Sequence, residues 1–413
     1  MVTRVQVSIS WTGGHADALR RSLHMTNEAY AEHLGVGART VANWRMNPHV
    51  VPKLWMQEIL DTALDRAPDQ AKAQFAQLIS QPEKGRMPGL KSLGMSGGFL
   101  QEASRSASTE FGDSGYLESI RDHIREIVAL DNRFGGADLV RLSARFFRTL
   151  HDQLGAGTYD ARLERDLHSA AGELAEVVGW LAYDAEAHDL ARRMNQESLY
   201  FTRLAGDRGI ELLTLQNSSM HAASQGRPRE ALQIARSVLE GSDYRLSSRL
   251  KALFLTRKAR ALAQGGDDSA LQLLPQIRSL FLDGVSDADP AWAWWIDERE
   301  LAWHEAMIQR DLGLASQSVA HFERSVAVTP PTEIRSQYLH RAFLLQAQLE
   351  NSTWNAAEQT IRQLIPLSRE VASTRTVVLL RRALSELAMR EKVPLSLQEQ
   401  AAMLSVALDE APV

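Results

Sequence analysis

The feature that most constrains this chain is a spacing of small residues. The words Asp189-Leu190-Ala191, Arg229-Glu230-Ala231, Asp268-Ser269-Ala270, Gly313-Leu314-Ala315 and Asn355-Ala356-Ala357 recur along its second half, with their final alanines at 191, 231, 270, 315 and 357. Turn signals such as Gly226, Gly265-Gly266 and Asn351 precede them. Each word opens the second helix of a hairpin, and a small residue there lets two helices approach closely. A helix-pair unit of roughly 40 residues cannot bury its apolar face alone, so such units stack into an α-solenoid.

The composition agrees with that architecture. Of 413 residues, 44% are apolar and 23% charged, which is ample for a packed core. The absence of cysteine excludes disulfides and thiolate metal sites. The opening MVTRVQVSIS lacks the apolar core of a signal peptide, and no apolar run reaches the length of a membrane span. A cytoplasmic protein without membrane association is the expectation. The net charge of −5 gives no general attraction to nucleic acid.

Three regions follow from the pattern: 1–80, helical after a short start; 81–115, rich in Gly, Ser and Pro and read as a flexible linker; and 116–413, the helical repeats. Val5, Val7, Ile9 and Trp11 alternate on one face. This pattern suits either a short strand or an extended arm packed on the first helix. Helices are expected at about 15–24, 27–34, 38–46 and 53–66.

The stretch NEAYAEHLGVGARTVANW, residues 27–44, has the spacing of a helix-turn-helix. Ala31 is small where a second helix must cross, and Gly35 tolerates positive φ in the turn. Tyr30, Leu34, Val36, Val41 and Trp44 are spaced to pin both helices to a core. With Val41 and Trp44 inward, Gly37, Ala38, Arg39, Ala42, Asn43 and Met46 turn outward. On that face Arg39 can pair with guanine O6 and N7, and Asn43 with adenine N6 and N7. Gly37, Ala38 and Ala42 allow close approach to the major groove. Asn27, Thr40 and Lys53 are placed for phosphates of double-stranded DNA, which position the protein without specifying sequence. Residues 1–66 carry seven Lys/Arg and six Asp/Glu. With so little positive charge per subunit, DNA affinity requires a homodimer or locally focused charge.

Residues WTGGHADALRRSLHMTNEAYAEHLGVGARTVANW through LWMQEILDTALDRA resemble the lambda-repressor-type (XRE-like) domain of actinobacterial transcription regulators. In that family the domain precedes tetratricopeptide-like repeats. ALDNRFGGADLVRLSARFFRTLH (129–151) and the GWLAYDA word (179–185) are similar to the same family. Where such domains commonly carry Gln, this chain has the shorter Asn27. The repeats themselves resemble the tetratricopeptide unit in degenerate form, best in 179–193 and 221–236. The layout is also similar to peptide-responsive quorum-sensing regulators, in which an Asn on an inner helix binds the peptide backbone. That resemblance implies a peptide or small-molecule effector contacting Asn217, within the polar LQNSSMH, with His221, Arg257, Arg260 and Arg341 as inner-face neighbours.

Other signals carry less. The cluster AWAWWIDERELAWHE places Trp292, Trp294, Trp295 and Trp303 at spacings that cannot share one helix face. Most therefore belong to the core, with one or two left for a cleft or interface. GRMPGLKS (85–92) lacks the strand, spacing and following helix of a phosphate loop. His15, His24 and His33 fall on separate elements, and WHEAM lacks the second histidine of a zinc-protease helix. Asp297, Glu298, Glu300 and Glu305 are spaced like surface charges on a helix. No catalytic constellation or cofactor motif emerges. The expectation is an all-α regulator: a small helix-turn-helix domain joined by a linker to an α-solenoid of tetratricopeptide-like pairs that dimerises and senses a ligand. The alternative is a protein-interaction adaptor whose helix-turn-helix no longer binds DNA.

Overall fold

A computed structural model describes residues 11–23, 25–36, 40–41, 44, 50, 52, 54–68, 71–72, 75, 114–136, 138–157, 159–241 and 244–411. The described residues form helices without strands, in two compact units divided between Arg105 and Ser106. Residues 5–10 of the expected strand or arm, and 81–113 of the expected linker, lie outside the described residues. Ser114 and Gly115, expected in the linker, already belong to a helix. No described helix is long and apolar enough to cross a membrane.

The first unit contains α1 (Gly13–Ser22), α2 (Asn27–Leu34) and α3 (Leu54–Arg66), with Thr40, Val41 and Trp44 also helical. Helix α1 starts two residues before the apolar period begins because Thr12 caps it. The Thr12 side chain accepts from the His15 amide at 3.3 Å while the His15 ring faces the Thr12 amide, closing a capping box. Thr26 similarly accepts from the Ala29 amide at 3.2 Å at the start of α2. The core contains Trp11, Ala16, Leu19, Tyr30, Ala31, Leu34, Val41, Trp44, Leu60, Ala63 and Phe75. Trp11 stacks on Phe75 and donates Nε1 to Asp61 at 2.7 Å, so its polar edge is satisfied beside its buried ring.

The described residues of the second unit form seven successive helix pairs: α4 (Ser114–Phe134) with α5 (Val140–Ala156), α6 (Glu164–Asp184) with α7 (His188–Ala205), α8 (Arg208–Ser224) with α9 (Pro228–Glu240), α10 (Ser248–Gln264) with α11 (Ser269–Leu282), α12 (Glu298–Asp311) with α13 (Ala315–Val328), α14 (Ile334–Glu350) with α15 (Trp354–Glu370), and α16 (Thr374–Ala388) with α17 (Leu395–Asp409). Ala191, Ala231, Ala270 and Ala357 are fully buried near the start of their second helices, as the spacing requires. The word Gly313-Leu314-Ala315 is out of register. Ala315 opens α13 but is only half-buried, and Ser318 takes the fully buried position. A one-turn 3₁₀ helix, Ala291–Trp295, precedes that pair and lengthens its repeat.

The tryptophans divide as their spacing demands. Trp292 and Trp295 stack at 6.1 Å, Trp292 donates to the Gly209 carbonyl at 2.9 Å, and Trp303 is buried, while Trp294 is exposed.

First helices pack on first helices, α6 to α8 to α10 to α12, with second helices flanking them. At the other end α14 packs back against α4 and α16 against α6, so the row closes on itself. Across this closure Arg375 donates Nε and Nη2 to Asp184 Oδ1 at 3.2 and 3.1 Å, and Ser373 donates Oγ to the same oxygen at 3.1 Å. Arg335 lies 3.1 Å from Asp184 and 3.6 Å from Asp131. Both guanidinium groups also sit over the Trp180 ring, and that of Arg375 lies 4.6 Å from the Tyr183 ring centre. Gly135, at φ 87°, rests so close to Ala372 that a Cβ would collide with its carbonyl.

Candidate functional site

In the amino-terminal unit, Ala31, Leu34, Val41 and Trp44 are buried, Tyr30 is fully so, and Val36 packs partly on the same core. Gly35 ends α2 at φ 65°, and the next amide, Val36, returns to the Ala31 carbonyl at 2.9 Å. That left-handed position is the one a glycine relieves of strain. Thr40 is helical and half-buried, and Asn27 is the first residue of α2. The Asn27 Oδ1 is buried and has no hydrogen-bond partner among the described residues. Gly37, Ala38, Arg39, Ala42, Asn43 and Lys53, the rest of the expected DNA-contacting set, lie outside the described residues. So do Met46, His24 and residues 85–92.

The polar site of the second unit runs along its first helices. Arg257 on α10 donates Nη2 and Nε to Gln216 Oε1 at 2.7 and 3.2 Å. Gln216 passes its amide to Asn217 Oδ1 at 2.5 Å, and Asn217 donates to Glu176 Oε1 on α6 at 2.5 Å. Every donor points the same way, from a buried cation to a buried carboxyl, so each bond polarises the next. Burial, helped by the neighbouring Glu173 charge, pushes the Glu176 carboxyl up to about 8. A neutral acid can still accept from Asn217 with its carbonyl oxygen.

On the other side of Arg257, His304 Nε2 lies 2.8 Å from Glu300 Oε1 and is also the ring atom nearest Arg257 Nη1. Burial and the Arg257 charge hold His304 down at about 4. Glu300 is held at about 2: burial opposes its ionised form, but the charges and hydrogen bond from His304 and the charge of Arg257 outweigh it.

The five residues expected to meet a ligand divide into groups. Asn217 and Arg257 share one chain through Gln216. Arg260 pairs with Asp311 at 3.3 Å and lies over the Trp303 ring. His221 packs on Tyr183 and His188 and is lowered to about 4 by burial, followed by the charges of His188 and Arg227. Arg341 stands apart, donating Nε to Gln363 on α15 at 3.0 Å.

Residues that spacing did not single out complete the network: Glu176, Gln216, Glu300 and His304, and at the closure Asp131, Asp184, Arg335 and Arg375. Glu300 and Glu305 correct the reading of surface charges. Glu305 is buried between Arg278 and His321, and Glu300 faces Arg257. A signal did exist, since Glu176 stands inside the apolar run LAEVVGWLAYD and so must be buried. Among the described residues no group of three or more His, Asp or Glu side chains is arranged to hold a metal ion. No protein-family model matches the chain, and no curated protein does.

Proposed function

We propose that this protein is a sequence-specific DNA-binding transcription regulator whose helical-repeat unit binds a peptide or small-molecule effector and dimerises. The observation that carries the DNA-binding half is the joint placement of Ala31, Gly35, Val41 and Trp44. Three are core residues, and the glycine occupies a positive-φ turn between them. On this reading Arg39 and Asn43 read bases, and Asn27, Thr40 and Lys53 meet phosphates. Dimer symmetry then sets the half-site spacing at one helical turn or a multiple of it.

The test is a gel shift and footprint on the DNA upstream of the protein's own gene, comparing wild type with Arg39→Ala and Asn43→Ala. The expected result is a protected inverted repeat, with each substitution relaxing preference at one base position and costing about 1–3 kcal/mol. Binding that ignores sequence, or no binding at any salt, supports the adaptor reading. The near-neutral charge of residues 1–66 favours that alternative.

The effector half rests on the buried polar chain from Arg257 to Glu176. A ligand that exchanges for one of its members would rearrange two first helices and hence the curvature of the solenoid. Titrations with short linear peptides, read by thermal shift in wild type and Asn217→Ala, test it. A peptide that stabilises both proteins equally counts against Asn217 as a contact.

A further inference from the structure

The two sequence words ALDNRFGGADLV and GWLAYDA meet at the ring closure. The first supplies Asp131 and Gly135, and the second Trp180, Tyr183 and Asp184. We infer that this closure is a latch, the one seam at which the ring of repeats opens while its helix pairs stay folded. The inference does not depend on the DNA-binding or effector reading.

Three observations carry it. First, the seam is held by charge rather than by apolar burial. The apolar core of residues 117–201 and that of residues 338–408 are separate clusters, and none of the described clusters spans both ends. What joins them is Asp131 and Asp184 against Arg335 and Arg375, with the Trp180 and Tyr183 rings. Buried ion pairs give up much of their Coulomb attraction to desolvation, so they specify a contact more than they stabilise it.

Second, the pairing is incomplete. Asp131 Oδ1, Asp184 Oδ2, and Arg335 Nε and Nη2 are buried with no well-aligned hydrogen bond among the described residues. Trp180 Nε1 meets only the other Asp131 oxygen, at 3.1 Å. Unsatisfied buried polar atoms lower the cost of letting water in.

Third, chain connectivity does not help the seam. From α6 to α14 consecutive first helices are tied by a second helix that packs against both, as α9 does between α8 and α10. At the closure the partners Asp184 and Arg375 are separated by 191 residues. Opening there breaks no covalently adjacent contact and releases the closure entropy of the whole array.

The absence of native cysteine makes paired spin labels direct. Labels at Asp138→Cys and Glu370→Cys, both exposed and beside the Gly135–Ala372 contact, report the seam by pulsed electron resonance. Labels at Arg193→Cys and Arg229→Cys, exposed on α7 and α9, report an ordinary repeat boundary. Combining Arg335→Met with Arg375→Met is expected to add a longer distance at the seam while the control pair and far-UV circular dichroism stay unchanged. An unchanged seam distribution in that folded variant overturns the latch.

The same label pairs in the otherwise wild-type protein decide the case if the variant does not fold. A second, longer seam distance is expected to grow in sub-denaturing urea while the control pair and far-UV circular dichroism stay unchanged. If seam and control distances lengthen only together, with global unfolding, there is no latch.

Discussion

Arg375 grips Asp184 with Nε and Nη2 at 3.2 and 3.1 Å, across 191 residues of chain, and so joins the last helix pair to the second. The carboxylate is fully buried and also receives Ser373. Removing one partner of such a group costs far more than the pair contributes, because the other charge is left without compensation. Arg375→Met is therefore expected to lower unfolding free energy by about 3 kcal/mol in urea melts. The combination Asp184→Leu, Arg335→Met and Arg375→Met is expected to recover most of that loss. Strictly additive effects of the three changes would contradict a shared ion cluster.

Gly135 makes the second contact of that closure. Its φ of 87° disfavours any side chain, and the Ala372 carbonyl occupies the space a Cβ needs. Gly135→Ala should cost roughly 2 kcal/mol or more, from backbone strain and overpacking together. Circular dichroism melts of the single variant suffice to check it. A loss below 0.5 kcal/mol, by the rough scale of neutral surface substitutions, would mean the helix ends are not in contact.

At Gly35 the requirement is conformational alone, since nothing lies within 4 Å of a Cβ built there. Gly35→Ala is expected to destabilise the amino-terminal unit by about 1 kcal/mol, and Gly35→Asn by less, because Asn tolerates the left-handed region better. Buried Trp11 and Trp44 supply a fluorescence signal for the melt. Equal stability of the Ala and Asn variants would show that φ is not the constraint.

Stability should also depend on pH in two opposite directions. Glu176 is held at about 8 in the fold against an ordinary value of 4.5. Between those values the unfolded chain has released a proton that the folded chain keeps. Stability from this group is therefore full below about 4.5 and is lost as pH rises through 8. Glu176→Gln keeps an acceptor for Asn217 and should flatten that decline, with a Tm advantage growing from pH 6 to about 9.

The buried histidines act on the acid side. His304 and His221 are held near 4 and His340 near 3, chiefly by burial, against 6.5 when free. As pH falls from 6.5 toward 4 the unfolded chain takes up protons that the folded chain refuses, so stability falls. His340→Asn should reduce that acid slope in calorimetry. A slope identical to wild type would place the His340 ring in solvent.

Much of this architecture is legible in the sequence because helix pairing is a local matter. Alternation at 3.6 residues and a small residue at the crossing decide which faces meet, and Ala191, Ala231, Ala270 and Ala357 occupy those crossings. The same logic places Tyr30, Ala31, Val41 and Trp44 in the first core. It fails at Ala315, which is the first residue of α13 while Ser318 holds the buried fourth position, and at Glu300 and Glu305, whose charges look solvated until their partners are known. Burial of a charge depends on a neighbour from another repeat, such as Arg278 for Glu305.

The closure lies furthest from what local pattern can specify. Whether a solenoid ends open or meets itself depends on small rotations between pairs summed over the whole array, and no single repeat encodes that sum. Sequence alone determined the helix pairs, their small-residue crossings and the glycine turn of the first unit, since each follows from contacts a few residues apart. Only the tertiary structure decided that Arg335 and Arg375 reach Asp131 and Asp184, and that Asn217 spends its amide on Glu176. Those partners are distant in sequence, and geometry accumulated along the chain brings them together.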